Sequence, residues 1–152
     1  MLIATPARAQ DVGLPLGTRP EAPQVEDLDG NVVDLASIVG SKPAILEFWA
    51  SWCELCQALS PRFRAAFEEY GDRVEFLTVA VGVNQTPRSV KRHLESEPIG
   101  GRVIWDGQGR AVRAFEAPGT SYVVVLNASG AVVYTGSGAD QDIAAAVAKA
   151  LQ

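Results

Sequence analysis
Cysteine and histidine are scarce in this chain: 152 residues include 2 Cys and 1 His. Structural zinc takes four ligands, and Cys53, Cys56 and the distant His93 cannot supply them within one chain. Positive charge is also short. Lys and Arg number 13 against 18 Asp and Glu, for a net charge of −5, and no basic cluster stands out, so a nucleic-acid partner is not expected. No apolar run approaches the roughly 20 residues needed to span a bilayer. The longest, from Pro43 to Ala50, is interrupted by Glu47, so no membrane span is expected. There is no internal repeat, low-complexity tract or interdomain linker, and the length suits one domain with a sizeable core.

What the chain does have is both cysteines three residues apart, in Phe48-Trp49-Ala50-Ser51-Trp52-Cys53-Glu54-Leu55-Cys56. They follow an apolar run, Ala44 to Trp49, that reads as a central strand buried on both faces. Two thiols at i and i+3 in the first turn of a helix can close a tight disulfide. The first would sit where backbone N–H groups lack partners and favour a thiolate. This is the pattern of a redox dithiol, set against the plainer reading of two structural cysteines. Glu47 is either a solvated residue at the strand end or a buried acid with a raised pKa.

The remaining elements follow from periodicity and turn chemistry. Val25 to Leu28 and Val32 to Leu35 flank Asp29-Gly30-Asn31 as a hairpin, and Ala36 to Val39 predicts one helical turn. Leu55, Cys56, Leu59, Phe63, Ala66, Phe67 and Tyr70 recur at helical spacing from Cys53 to Gly71, with Pro61 expected to bend that helix. Val74 to Val83 predicts a buried strand. Thr86 is the predicted N-cap of a helix with Pro87 at its first position, and His93 flanks its thin apolar stripe as a surface or packed residue. Arg102 to Trp105 predicts a strand and Gly109 to Phe115 a short helix. Ser121 to Leu126 and Ala131 to Thr135 predict a second hairpin, and a terminal helix is expected behind Asp140 as N-cap.

In order, these elements make an α/β arrangement around a mixed sheet. The motif from Phe48 to Cys56 closely resembles the active site of the thioredoxin superfamily, with Glu47 at the position of its buried acid and Pro61 at that of its helix-kinking proline. The hairpin at Val25 to Gly30 and the strand and helix inserted between Val83 and Gly119 resemble the exported TlpA-like and ResA-like thiol-disulfide oxidoreductases. The resemblance runs from about Ala22 to Leu151. It implies a thioredoxin-like fold over residues 22–152, a mixed central sheet flanked by helices with an N-terminal hairpin and an inserted βα element. Residues 1–21 are expected to be an export-signal remnant and flexible lead-in, because Ala7-Arg8-Ala9 fits the small-residue rule for cleavage. No cysteine stands directly after that point, where Gln10 is, so a lipid-modified cysteine anchor is not indicated.

The implied activity is thiol-disulfide exchange between the Cys53–Cys56 dithiol and protein disulfides, with an upstream electron donor and no cofactor or resident metal. The implied location is the periplasm or another exported compartment, with the cytoplasm as the alternative. Cys53 would attack, Cys56 resolve and Glu47 relay the proton, with Trp52 and Glu54 flanking or tuning the sulfurs. Two departures from the family pattern stand out. Glu54-Leu55 replaces the Gly-Pro of thioredoxin, and Ser121 takes the place of the cis-proline that faces the dithiol, Pro118 lying three residues too early. A cis bond before a non-proline residue costs about 2.5–4 kcal/mol, so a trans Thr120–Ser121 peptide is expected. The change would alter the substrate groove at Thr120, where the family pairs with a substrate backbone. It also opens a second reading, a non-catalytic module holding copper or an iron–sulfur cluster through the dithiol or docking a partner.

Overall fold
The structure, a computed structural model, describes residues 13–152; the expected signal remnant over residues 1–12 lies outside the described residues. The chain runs β1 (Gln24–Glu26), β2 (Val32–Asp34), α1 (Leu35–Ile38), β3 (Ala44–Trp49), α2 (Glu54–Tyr70) and β4 (Glu75–Val81). It continues through α3 (Pro87–Ser96), β5 (Arg102–Asp106), α4 (Arg110–Ala114), β6 (Val123–Leu126), β7 (Val132–Gly136) and α5 (Ile143–Lys149). Among the described residues the strands form one seven-stranded sheet in the order β2-β1-β5-β4-β3-β6-β7. β3 is an interior strand, parallel to β4 and antiparallel to β6. All six β3 residues are buried, as the continuous apolar run requires of a strand covered on both faces.

Side-chain alternation along β3 divides the core. Ile45 points to the face covered by α2 and α5, where it joins Leu59, Phe63, Phe76, Val123 and Ile143. Leu46 and Phe48 point to the other face, with Leu35 of α1, Val90 of α3 and Phe115 after α4. Glu47, two residues after Ile45, therefore projects under α2.

The first hairpin forms as expected. Asp27 organises its turn by accepting hydrogen bonds from the backbone N–H groups of Asp29 and Asn31 at 2.8 and 2.9 Å. The pairing of Glu26 with Trp105 then joins it to β5. Helix α3 starts on a capping box between Thr86 and Ser89, with Pro87 in its first turn.

Four expectations need correction. Leu55 is 53% exposed, because the inner stripe of α2 runs Cys56, Leu59, Phe63 and Ala66 and places position 55 outside it. The N-cap of α5 is Asp142, whose carboxylate accepts from the Ala145 N–H at 3.1 Å; Asp140 lies two residues ahead of it. The fourth strand is Glu75–Val81 rather than Val74 to Val83, since the chain turns away at Gly82 to carry Val83 to the surface. Finally, residues 14–18 of the lead-in expected to be flexible are seated on the domain. Leu14 is buried with its N–H donating to the Tyr122 hydroxyl at 3.2 Å, and Gly17 and Thr18 exchange backbone hydrogen bonds with Val132.

Candidate active site
Cys53 is the N-cap of the 17-residue helix α2. Its backbone is extended and its Sγ accepts the otherwise unpaired N–H of Cys56 at 3.1 Å. The first sulfur thus occupies the place a serine or aspartate oxygen takes in an ordinary cap. The partial positive charge of the helix end falls on that atom and favours its thiolate. Cys56 sits one turn into the helix with no exposed surface, whereas Cys53 retains 4%. Their Cα atoms are 5.2 Å apart and the pair is closed as a disulfide. Cys56 Sγ lies 3.9 Å from the Phe48 carbonyl, an acceptor for its S–H after reduction.

The loop carrying Cys53 is held by polar groups from far along the chain. Gln85 Oε1 accepts from the Ser51 N–H at 3.0 Å and from its hydroxyl at 3.1 Å, while Nε2 donates to the Val81 carbonyl at 2.8 Å. Gln57 of α2 donates to the Ser51 carbonyl at 3.1 Å. The Trp52 indole N–H donates to the Val83 carbonyl at 2.8 Å, which leaves the ring 47% exposed. With Leu55 and the 55% exposed Val83 it gives the loop an apolar outer surface. Glu54 is exposed in the first turn of α2, a favourable dipole position.

Glu47 resolves to the buried alternative. It is 2% exposed, and burial pushes its pKa up from 4.5 to about 8, because low-dielectric surroundings penalise the carboxylate. Its register partners are Thr78 on β4 and Val123 on β6. Oε1 of Glu47 and Oγ1 of Thr78 are both buried without a hydrogen-bond partner. Each such group is worth about 1–3 kcal/mol of lost solvation.

Ser121 replaces the expected proline with a different construction. The Thr120–Ser121 peptide is trans, as expected, and Ser121 takes a left-handed backbone with φ +67°. It is buried and held on every polar group. Its N–H donates to the Phe48 carbonyl at 2.7 Å, its hydroxyl accepts from the Gly138 N–H at 3.1 Å and its carbonyl accepts from Gln141 Nε2 at 2.9 Å. Gln141 is itself buried and accepts from the Tyr134 hydroxyl at 3.0 Å. The Ser121 N–H, which a proline lacks, extends the β6–β3 ladder to the Phe48 carbonyl, 3.9 Å from Cys56 Sγ. Thr120 is half-buried one residue earlier.

His93 packs instead at 5.5 Å from the Trp49 ring, with its Nε2 3.1 Å from Glu97 Oε2. Gln85, Gln141 and Thr78 were not singled out by sequence reasoning. No local pattern marks them, because their partners lie on other strands and loops.

A mixed sheet with β3 as an interior strand, a dithiol at the N-terminus of the following helix and a buried acid beneath that helix define a thioredoxin-like protein. Residues 15–151 match the Redoxin family, and the chain belongs to it. It is 26% identical over 110 residues to the thiol-disulfide oxidoreductase ResA of Bacillus subtilis, covering 72% of this chain and 60% of that protein. It is 27% identical over 93 residues to the thiol:disulfide interchange protein TxlA of Synechococcus elongatus, covering 60% of this chain and 49% of that one. The chain thus spans about half to three fifths of the length of these relatives. Among solved structures it resembles the thioredoxin domain of a thiol-disulfide oxidoreductase from Bacteroides vulgatus, with a TM-score of 0.78, 18% identity and coverage of 91% and 99% of the two chains. A secreted disulfide oxidoreductase of Mycobacterium tuberculosis, homologous to Escherichia coli DsbE, aligns with a TM-score of 0.71, 22% identity and coverage of 82% and 93%. Both likenesses concern the fold.

Proposed function
We propose that this protein is a protein-disulfide oxidoreductase that works as a reductase in an exported compartment. The observation that carries the reading is the position of Cys53 Sγ, the capping atom of α2 on the more exposed of two cysteines whose sulfurs are already close enough to bond. Its thiolate attacks a substrate disulfide, forming a mixed disulfide and expelling one substrate thiolate. Cys56 then attacks Cys53 Sγ, which releases the second substrate thiol. The substrate gains two electrons and the protein is left with the Cys53–Cys56 disulfide. An upstream dithiol donor must reduce it before the next cycle.

Glu47 serves as proton relay. Cys56 is buried and must lose its proton to resolve the mixed disulfide, and a carboxyl raised to about 8 can accept and return that proton near neutral pH. The exposed apolar surface of Trp52, Leu55 and Val83 suits docking of a polypeptide substrate. Thr120, beside the anchored Ser121, is where a substrate strand would pair. Glu54 opposes the Cys53 thiolate by charge. Export is supported by the Ala7-Arg8-Ala9 pattern and by the secreted structural relative. In the test, wild type and Cys53→Ser are compared in reduction of a protein disulfide with dithiothreitol as donor. Catalysis by the wild type and only the uncatalysed rate with Cys53→Ser is the expected result. Equal rates would exclude the mechanism.

A further inference from the structure
Thr78 is the one polar residue between Phe76 and Val81 on β4, and it has no exposed surface. Valine would fill the same space and suit the strand at least as well. The hydroxyl stays without a partner among the described residues, and it stands directly opposite Glu47, whose Oε1 is likewise unpartnered. Register partners on adjacent strands project to the same face, with the strands about 4.8 Å apart. Two orphaned polar atoms side by side in a dry layer are the partners a buried water requires.

We propose that Thr78 is the positioning residue for Glu47: its hydroxyl and the Glu47 carboxyl share one buried water, which supplies a hydrogen bond to the carboxyl during resolution. The proposal rests on the proton-relay reading of Glu47. The face in question offers the acid no other charge. Helix α2 covers it with Leu59, Phe63 and Ala66. The residues that β4, β6 and α5 bring to this layer, Phe76, Val123, Val125, Ile143 and Val147, carry no charge. Arg62 and Asp142, on α2 and at the cap of α5, are exposed. The water-linked hydroxyl is thus the polar group available to steady the carboxylate when it holds no proton. Burial alone already places its pKa about 8.

The test uses the reduced full chain and an aryl disulfide in a stopped-flow reaction. Attack by Cys53 releases the first aryl thiol, and resolution by Cys56 releases the second. The rate of the second phase is followed against pH in the wild type, Thr78→Val, Thr78→Ser and Glu47→Gln. The wild type should show an inflection below pH 8 that Glu47→Gln removes. Thr78→Val should move it upward by about one unit, so that resolution at pH 7 slows about five- to tenfold. Thr78→Ser should restore the wild-type profile. An unmoved inflection in Thr78→Val, with Glu47→Gln still abolishing it, overturns the role of Thr78 and leaves the relay standing. A serine variant that behaves like valine also overturns it, since packing rather than the hydroxyl would then be responsible. If Glu47→Gln keeps the inflection, the relay reading fails and the proposal falls with it. Should Thr78→Val not fold, Thr78→Ala is read in the same way.

Discussion

Glu47 makes the stability of this protein depend on pH in a direction opposite to that of a salt-bridged carboxylate. Its pKa rises from 4.5 to about 8 on folding through burial alone. Between those values the unfolded chain has released the proton and the folded chain still holds it. The folded state binds more protons at this site, so the contribution of Glu47 to stability is greatest at or below pH 4.5 and is lost as pH rises toward 8. Each unit of separation is worth about 1.4 kcal/mol. The loss attributable to Glu47 is therefore about 3 kcal/mol at pH 7 and approaches about 5 kcal/mol above pH 8.

Glu47→Gln removes the titration while keeping the side chain's shape. Urea unfolding of the oxidised wild type and variant, with the dithiol closed so that neither sulfur titrates, isolates the effect by difference. The variant's advantage should stay below about 1 kcal/mol at pH 5, reach about 3 kcal/mol at pH 7 and level off beyond pH 8. A difference independent of pH would refute the argument. It would mean that Glu47 is solvated or paired in the folded state and that its burial does not control its proton.

Three further outcomes follow from particular hydrogen bonds of the fold. Ser121→Pro should destabilise the protein by about 3 kcal/mol or more, since proline needs a φ near −65° where Ser121 has +67° and cannot donate to the Phe48 carbonyl; an unchanged denaturation midpoint would show that the loop rebuilds around the ring. Gln85→Ala removes the acceptor of two Ser51 donors, and should cost about 1–3 kcal/mol and speed hydrogen exchange at the Ser51 amide; unaltered exchange would count against Gln85 as the clamp of the active-site loop. Asp142→Ala should cost about 1 kcal/mol through loss of the α5 cap, with Asp140→Ala costing less, and thermal melts of the two variants would reverse that order if Asp140 were the cap.

The elements most legible in the sequence are those governed by neighbours a few residues away. The spacing of Cys53 and Cys56, the apolar run before them and the stripe beginning at Cys56 all act over one strand and one helix. Thr86 with Pro87, and Asp29 with Gly30, are signals of the same range. Leu55 and Asp140 show where that range ends. Leu55 shares the helical spacing of the inner stripe, but the face that α2 buries begins at Cys56 and leaves position 55 in solvent. Asp140 and Asp142 are equally good caps, and the choice depended on where the β7–α5 loop lets Ile143 enter the core.

By itself the sequence determined a redox dithiol at the head of a helix, the α/β order around it and the absence of proline at position 121, because these depend on residue identity and short spacing. Only the tertiary structure decided the state of Glu47. Its pKa depends on how completely α2, β4 and β6 exclude water, and its orphaned neighbour Thr78 lies 31 residues away on another strand. Tertiary contacts also decided what replaces the proline: Ser121 is held in its left-handed backbone by Phe48, Gly138 and Gln141, which meet only when β3, β6 and the β7–α5 loop close together.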